Sequence, residues 1–146
     1  MRTTKDMEPN STWTALSARV ASRSVSAGDI SKWVGASPTR AAEAGEAISP
    51  RSPLAGVHDS AFCIYQSPLA ASASIQEHFA WLVGFLQGLK SRPLPIPEGI
   101  QIDVRLGFSS SAGQGGFALS AAELSLLGDL GVQLNVDLYP PDAEDD

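Results

Sequence analysis

The chain has 146 residues, of which 43% are hydrophobic and 18% are charged, and this length suits one domain with its own core. Sixteen acidic against ten basic residues give a net charge of −6, which argues against nucleic acid or an anionic membrane as a partner. No apolar run approaches the roughly 20 residues that are needed to span a bilayer.

The cysteine content and the N-terminus suggest a compartment. Cys63 is the only cysteine, so the chain holds no internal disulfide. The first ten residues, MRTTKDMEPN, lack the apolar run of a secretion signal. We therefore expect a cytoplasmic protein.

The first third of the chain predicts one strand and one short helix. Apolar and polar residues alternate over residues 12–20, which is the period of a half-buried strand. Ser26 and Asp29 form an acidic capping box, and Gly35 stands where a left-handed residue would end the helix. The segment 36–60 is rich in Ala, Ser, Pro and Gly and is predicted to be mostly loop. Because a loop of this length is often functional, it is a first candidate surface.

The second part of the chain has the clearest patterns. Residues 61–66, AFCIYQ, are typical of a buried strand. Residues 74–90 predict a helix that begins with a capping box and carries one continuous apolar stripe. Three further strands are predicted at residues 100–108, 117–119 and 132–138. A helix is predicted at residues 120–130, between the last two of these strands.

These elements predict the fold class. From residue 61 onward their order is strand, helix, strand, strand, helix, strand, which is the split ferredoxin-like arrangement. We therefore predict an α+β fold in which an antiparallel sheet carries its helices on one face, ferredoxin-like in residues 61–139, with an extra N-terminal strand and helix. The single domain spans residues 11–140, between a flexible arm at 1–10 and an acidic tail at 141–146. Exposed edge strands can pair, so a homodimer is a further expectation.

Several short motifs follow one another in a fixed order. They are SPTR at 37–40, Gly45 with Glu46, GFALS at 116–120 and LNVDLY at 134–139. Their order and spacing resemble a bacterial family, domain of unknown function 4279, over roughly residues 12–140. The tryptophan that the family places before its second strand corresponds to Phe62 here. The resemblance implies a fold and a bacterial origin, but no activity and no catalytic residues.

Candidates for catalysis are few. Nucleophilic catalysis needs a base beside a nucleophile, and His58 and His78 are the only histidines. Cys63 lies in a predicted strand, where a buried thiol is expected, and His78 is placed at the flank of the helical stripe. No metal-ligand pair is present at helical spacing, so we predict no metal, no cofactor and no catalysis. The tryptophans are expected in the core, at positions 13, 33 and 81.

The acidic second half suggests a protein partner. Residues 74–146 hold ten acids and only three bases. We hypothesise a bacterial immunity protein that binds and neutralises a cognate toxin, with the acids covering a basic cleft of that partner. The predicted partner-binding residues are Glu123, Asp129, Asp137, Asp142, Glu144 and Asp145.

The alternative is a small-molecule-binding or regulatory module with its ligand near the 36–60 loop. Its predicted ligand-binding residues are Thr39, Arg40 and His58. An arginine can hold a carboxylate or a phosphate with two parallel hydrogen bonds. A turn after the first helix explains Pro38 equally well, so the two hypotheses stay open on the sequence alone.

Overall fold

The computed structural model describes residues 12–93, 96–110 and 116–139, so the predicted arm at 1–10 and tail at 141–146 lie outside the described residues. The strands are Thr12–Ser22 (β1), Arg40–Ala42 (β2), Ala61–Gln66 (β3), Gln101–Ser110 (β4) and Gln133–Tyr139 (β5). The α-helices are Ala27–Val34 (α1), Ile75–Lys90 (α2) and Ala121–Asp129 (α3). None of the helices in these ranges has the length and hydropathy that a bilayer crossing requires.

The five strands form one open sheet in the order β2-β3-β1-β4-β5. Neighbouring strands are antiparallel except β4 and β5, which are parallel. A parallel pair requires a crossover, and α3 lies in the connection between these two strands. The α+β class is confirmed, with a mixed sheet in place of the predicted antiparallel one.

The finer ferredoxin-like description of residues 61–139 is not confirmed. The first strand does not extend the sheet at an edge, because β1 lies at its centre between β3 and β4. The predicted returning strand at 117–119 is wrong. Phe117 stacks on Phe79 of α2 with 5.5 Å between ring centroids, and Leu119 also packs against the core. The apolar alternation of this segment therefore serves core packing and not strand pairing.

The three helices lie on one face of the sheet, as predicted. In β1 the residues that point toward them are buried, and so are the stripe residues of α2, which are Ile75, Phe79, Leu82, Leu86 and Leu89. Burying one such Leu or Ile side chain contributes about 2 kcal/mol. The capping box of α2 is present, because the Ser74 hydroxyl accepts from the Glu77 amide and the Glu77 carboxylate accepts from the Ser74 amide.

Helix α1 is tied to the segment that follows it. The Ser26 hydroxyl accepts a hydrogen bond from the Asp29 amide at 3.1 Å. The Ala27 amide donates to the Glu43 carboxylate at 2.9 Å, so a residue just after β2 completes the N-terminal cap. The 36–60 segment is mostly loop, as predicted, but β2 and a bridge between Ala47 and Val57 give it more order than its composition indicates.

Gly35 at the end of α1 yields a stability prediction. Its φ is +82°, and a Cβ built there would lie 2.7 Å from the Arg92 guanidinium, which donates to the Lys32 carbonyl. We expect Gly35→Ala to lower the free energy of unfolding by about 2 kcal/mol, since a left-handed non-glycine residue alone costs about 1–2 kcal/mol. Chemical denaturation measures this change.

The control for this prediction is Gly28→Ala in the same helix. A Cβ at Gly28 would meet nothing closer than the Ser26 hydroxyl at 3.9 Å. Alanine is a better helix former than glycine by roughly 0.5–1 kcal/mol, so Gly28→Ala should stabilise the protein slightly. If Gly35→Ala and Gly28→Ala changed the free energy of unfolding by the same amount, the left-handed conformation of Gly35 would not be important for stability.

Candidate functional site

The candidate site is the sheet face opposite the helices, which we call the open face. Successive side chains of a strand point to opposite faces of the sheet. The open face therefore carries the residues that alternate with the buried, helix-facing ones. Side chains of all five strands contribute to it, among them Trp13, Ser17, Arg19, Arg40, Phe62, Ile64, Asp103, Arg105, Asp137 and Tyr139.

The strand register brings three arginines together on the open face. Arg40 of β2 and Arg19 of β1 both pair with Ile64 of β3, so they lie on either side of that residue in one row across the sheet. Arg105 pairs with Ser17 in the next row. Neighbouring strands lie about 4.8 Å apart and two residues along a strand span about 6.6 Å, so these arginines start one to three strands apart, and all three side chains line the cavities of this face.

Phe62 is the platform on which two of these arginines rest. Its side chain is only 4% exposed. The Arg19 guanidinium carbon lies 4.9 Å and that of Arg40 5.8 Å from the ring centroid, and the His58 ring meets the same ring edge-on at 5.0 Å. Each cation–π contact is worth roughly 0.5–1 kcal/mol at such a site. The ring therefore holds two positive groups close to each other.

The open face contains a cavity of about 540 Å³, within the usual range for small-molecule sites. The cavity forms where the lining residues are small, namely at Ala15, Ser17 and Gly107. The other lining residues have larger side chains. A second cavity of about 310 Å³ shares Arg40 and Arg105 with the first and adds Arg19 and His58. The two cavities form one continuous depression.

The structure brings the three predicted ligand-binding residues to this depression. The Thr39 amide donates to the Ile64 carbonyl at 2.7 Å and its hydroxyl accepts from the Gln66 amide at 3.1 Å, which fixes Arg40 beside it. His58 is held through its own backbone by Gly45 and Glu46. The SPTR and Gly-Glu motifs thus build the scaffold that presents Arg40 and His58.

The predicted partner-binding acids do not share one surface. Glu123 accepts from the Ser120 amide as part of the cap of α3. Asp129 pairs with Lys90 at 2.7 Å, and Asp137 lines the cavity on the open face. Asp142, Glu144 and Asp145 lie outside the described residues. The role of these acids in partner binding stays a prediction.

Two sequence-based placements are wrong. His78 is not a flank residue but is 1% exposed, and its Nδ1 lies 2.8 Å from the Ser67 hydroxyl while its Nε2 donates to the Ala70 carbonyl at 3.0 Å. Trp33 is buried as expected, but Trp13 lies on the open face with 43% of its surface exposed. The phase of β1 explains this, because Trp13 lies six positions before Arg19 and therefore on the same face of the strand.

The cysteine thiol lies away from the depression. Cys63 is buried on the helix side, as predicted, and its thiol donates to the Ala27 carbonyl at 3.3 Å. Burial raises the pKa of the Cys63 thiol, which disfavours the nucleophilic thiolate. Within residues 12–93, 96–110 and 116–139, no group of three or more His, Cys, Asp or Glu side chains could hold a metal ion.

Comparison with known proteins gives one match. A family model described as Domain of unknown function (DUF4279) covers residues 11–141, which confirms the resemblance drawn from the motifs. Neither the curated proteins nor the solved structures contain a match to the chain. The family description carries no activity, so the geometry of the open face is the basis for a function.

Proposed function

This chain belongs to the family named domain of unknown function DUF4279, and from that premise we propose that it is a non-catalytic binding protein for a small anionic molecule. The ligand lies on the open face, with a carboxylate or phosphate group at the arginines. The observation that carries the proposal is the convergence of Arg19, Arg40 and Arg105 on one continuous depression.

The local charge supports an anionic ligand. The charged residues that line the two cavities are three arginines and two aspartates, although the whole chain has a net charge of −6. Arg19 and Asp103 form only a long ion pair of 3.9 Å, with both side chains about two-fifths exposed. Such a pair contributes little, so it does not cancel the attraction of the depression for an anion.

The side chains suit carboxylate or phosphate recognition. A guanidinium group is planar and offers parallel donors that match two oxygens of either anion. Phe62 and the anchored backbone at Thr39 restrict Arg40 before a ligand arrives. Restricting a side chain in advance reduces the entropy that binding costs.

The non-catalytic part of the proposal rests on the placement of the reactive groups. Cys63 and His78 are buried in the helix-side layer, where neither reaches the depression. His58 borders the depression, but its ring contacts Phe62, which cannot exchange a proton with it. A binding role needs only the charges and shapes that the open face provides.

The test is the affinity of the full chain for benzoate and for inorganic phosphate, measured by calorimetry. We expect Arg40→Ala to weaken the binding of the better probe about tenfold or more, because hydrogen bonds to a charged group contribute about 1.5–3 kcal/mol. Arg23→Ala is the matched control, since Arg23 is exposed and lines neither cavity. Equal effects of both substitutions, or no binding of either probe, would contradict the proposal.

A toxin-neutralising immunity protein is the second candidate. The observation that favours it is three exposed apolar side chains on α3 and β5, namely Leu124, Val136 and Leu138, with Leu138 71% exposed. These residues belong to the acidic second half of the chain, and apolar contacts together with a net negative charge suit a basic partner.

Copurification from a bacterial lysate tests this second candidate. We expect a stoichiometric basic partner that is released at high salt and lost in Leu138→Asp, but retained in Arg40→Ala. If the partner is lost in Arg40→Ala and kept in Leu138→Asp, it binds the open face. This result would contradict the hypothesis that a basic partner binds α3 and β5.

A further inference from the structure

Two aromatic side chains stand at one end of the 540 Å³ cavity, and anion binding gives them no role. The rings of Trp13 and Tyr139 meet edge to face, with 5.6 Å between centroids and an interplanar angle of 81°. Both are about half exposed, at 43% and 51%. Exposed rings held at a right angle offer one face and one edge to a third ring.

Gly107 sets the position of this ring pair. A Cβ at Gly107 would lie 3.2 Å and 3.3 Å from two atoms of the Trp13 ring and 3.3 Å from the Tyr139 ring. Both rings therefore contact the backbone of Gly107 directly. A side chain at this position would force them farther from the sheet.

The distance from the rings to the nearest cation is short. Gly107 and Arg105 both face the open side of β4 and are two residues apart, which is about 6.6 Å along the strand. A ligand ring that contacts Trp13 and Tyr139 at this end of the cavity can direct its carboxylate toward Arg105, and Arg40 lines the same cavity. Asp137 pairs with Gly107 and also lines the cavity, so a second negative charge at the ring end is disfavoured.

We infer that the ligand of the open face is a small aromatic monocarboxylate, whose ring contacts Trp13 and Tyr139 and whose carboxylate contacts Arg105 and Arg40. This inference rests on the proposed function, since it requires the arginines to bind the anion. It adds a chemical class, because a saturated acid of the same charge cannot use the ring faces equally well.

The experiment compares 2-naphthoate, benzoate and cyclohexanecarboxylate by calorimetry on the full chain. We expect the aromatic acids to bind about fivefold or more tightly than the saturated acid. Trp13→Leu should remove most of this preference, while Trp13→Phe should retain it. Thermal unfolding of each variant verifies that the chain is folded.

The outcomes separate the two levels of the proposal. Equal affinity for aromatic and saturated acids, with both weakened in Arg40→Ala, overturns the aromatic subsite and leaves the anion site standing. Binding of 2-naphthoate that does not depend on Arg40 overturns the proposed function itself. A preference that survives both Trp13→Leu and Tyr139→Ala also contradicts the subsite, because no ring of the pair would then contribute.

Discussion

Replacing His78 by Ala should lower the free energy of unfolding by about 3 kcal/mol, the largest stability effect that we expect from a polar residue of this chain. The imidazole is almost completely buried between α2 and the segment that follows β3. Its removal leaves a void and takes away the hydrogen bonds that its ring makes with the Ser67 hydroxyl and the Ala70 carbonyl. A buried polar group without a partner costs about 1–3 kcal/mol.

The hydrogen bonds of His78 fix which nitrogen carries the proton in the neutral ring. Nε2 faces a carbonyl, so it must donate, and Nδ1 therefore accepts from the Ser67 hydroxyl. A serine beside a histidine is also a feature of hydrolases. Here the ring nitrogen opposite Ser67 is bonded to a main-chain carbonyl, and both side chains are buried, so the pair joins β3 to α2.

Urea unfolding of a short series measures this effect. Ser67→Ala removes one partner and should cost about 1 kcal/mol, while His78→Gln keeps a donor and should cost less than His78→Ala. His58→Ala is the control, because His58 is half-buried at the edge of the open face. A cost for His78→Ala no greater than that for His58→Ala would show that the buried hydrogen bonds contribute nothing.

A large effect on the binding of the aromatic acid should come from Gly107→Leu. A leucine there fills the floor of the cavity and displaces the Trp13 and Tyr139 rings, which lie within 3.3 Å of the added Cβ. We expect the affinity for 2-naphthoate to fall about tenfold or more, which equals a loss of about 1.4 kcal/mol. The fold should persist, because both rings are half exposed and can move toward solvent.

The control for Gly107→Leu is the same change at Gly88 of α2. A Cβ at Gly88 meets nothing within 4 Å, and the residue is exposed on the helix side of the molecule. Gly88→Leu should therefore leave the affinity for 2-naphthoate within about twofold of the original value. Unchanged binding in Gly107→Leu would mean that the ligand does not use this cavity.

The periodic elements could be predicted from the sequence because their side chains face two environments. The alternation over residues 12–20 predicted the buried face of β1, and the stripe and cap of α2 predicted the helix. The same alternation already placed Trp13 with Arg19, away from the core. The prediction that Trp13 lies in the core is wrong because the phase of the strand decides which of its side chains are buried.

The parts that could not be predicted depend on long-range pairing. Strand β2 has only three residues and lies in a segment rich in Pro, Ala and Ser, so no local pattern marks it. The convergence of Arg40, Arg19 and Arg105 follows from three separate strand registers, none of which is set by local sequence. The burial of His78 likewise depends on Ser67, eleven residues earlier in the chain.

The most direct test of the anion site is an NMR titration of the full chain with 2-naphthoate, in which the Nε–Hε signals of the arginine side chains are observed. We expect the signals of Arg40 and Arg105 to shift most, with a smaller shift for Arg19 and none for Arg23 and Arg51. Shifts confined to backbone amides of α3 and β5, with the arginine signals unchanged, would contradict the open face as the binding site.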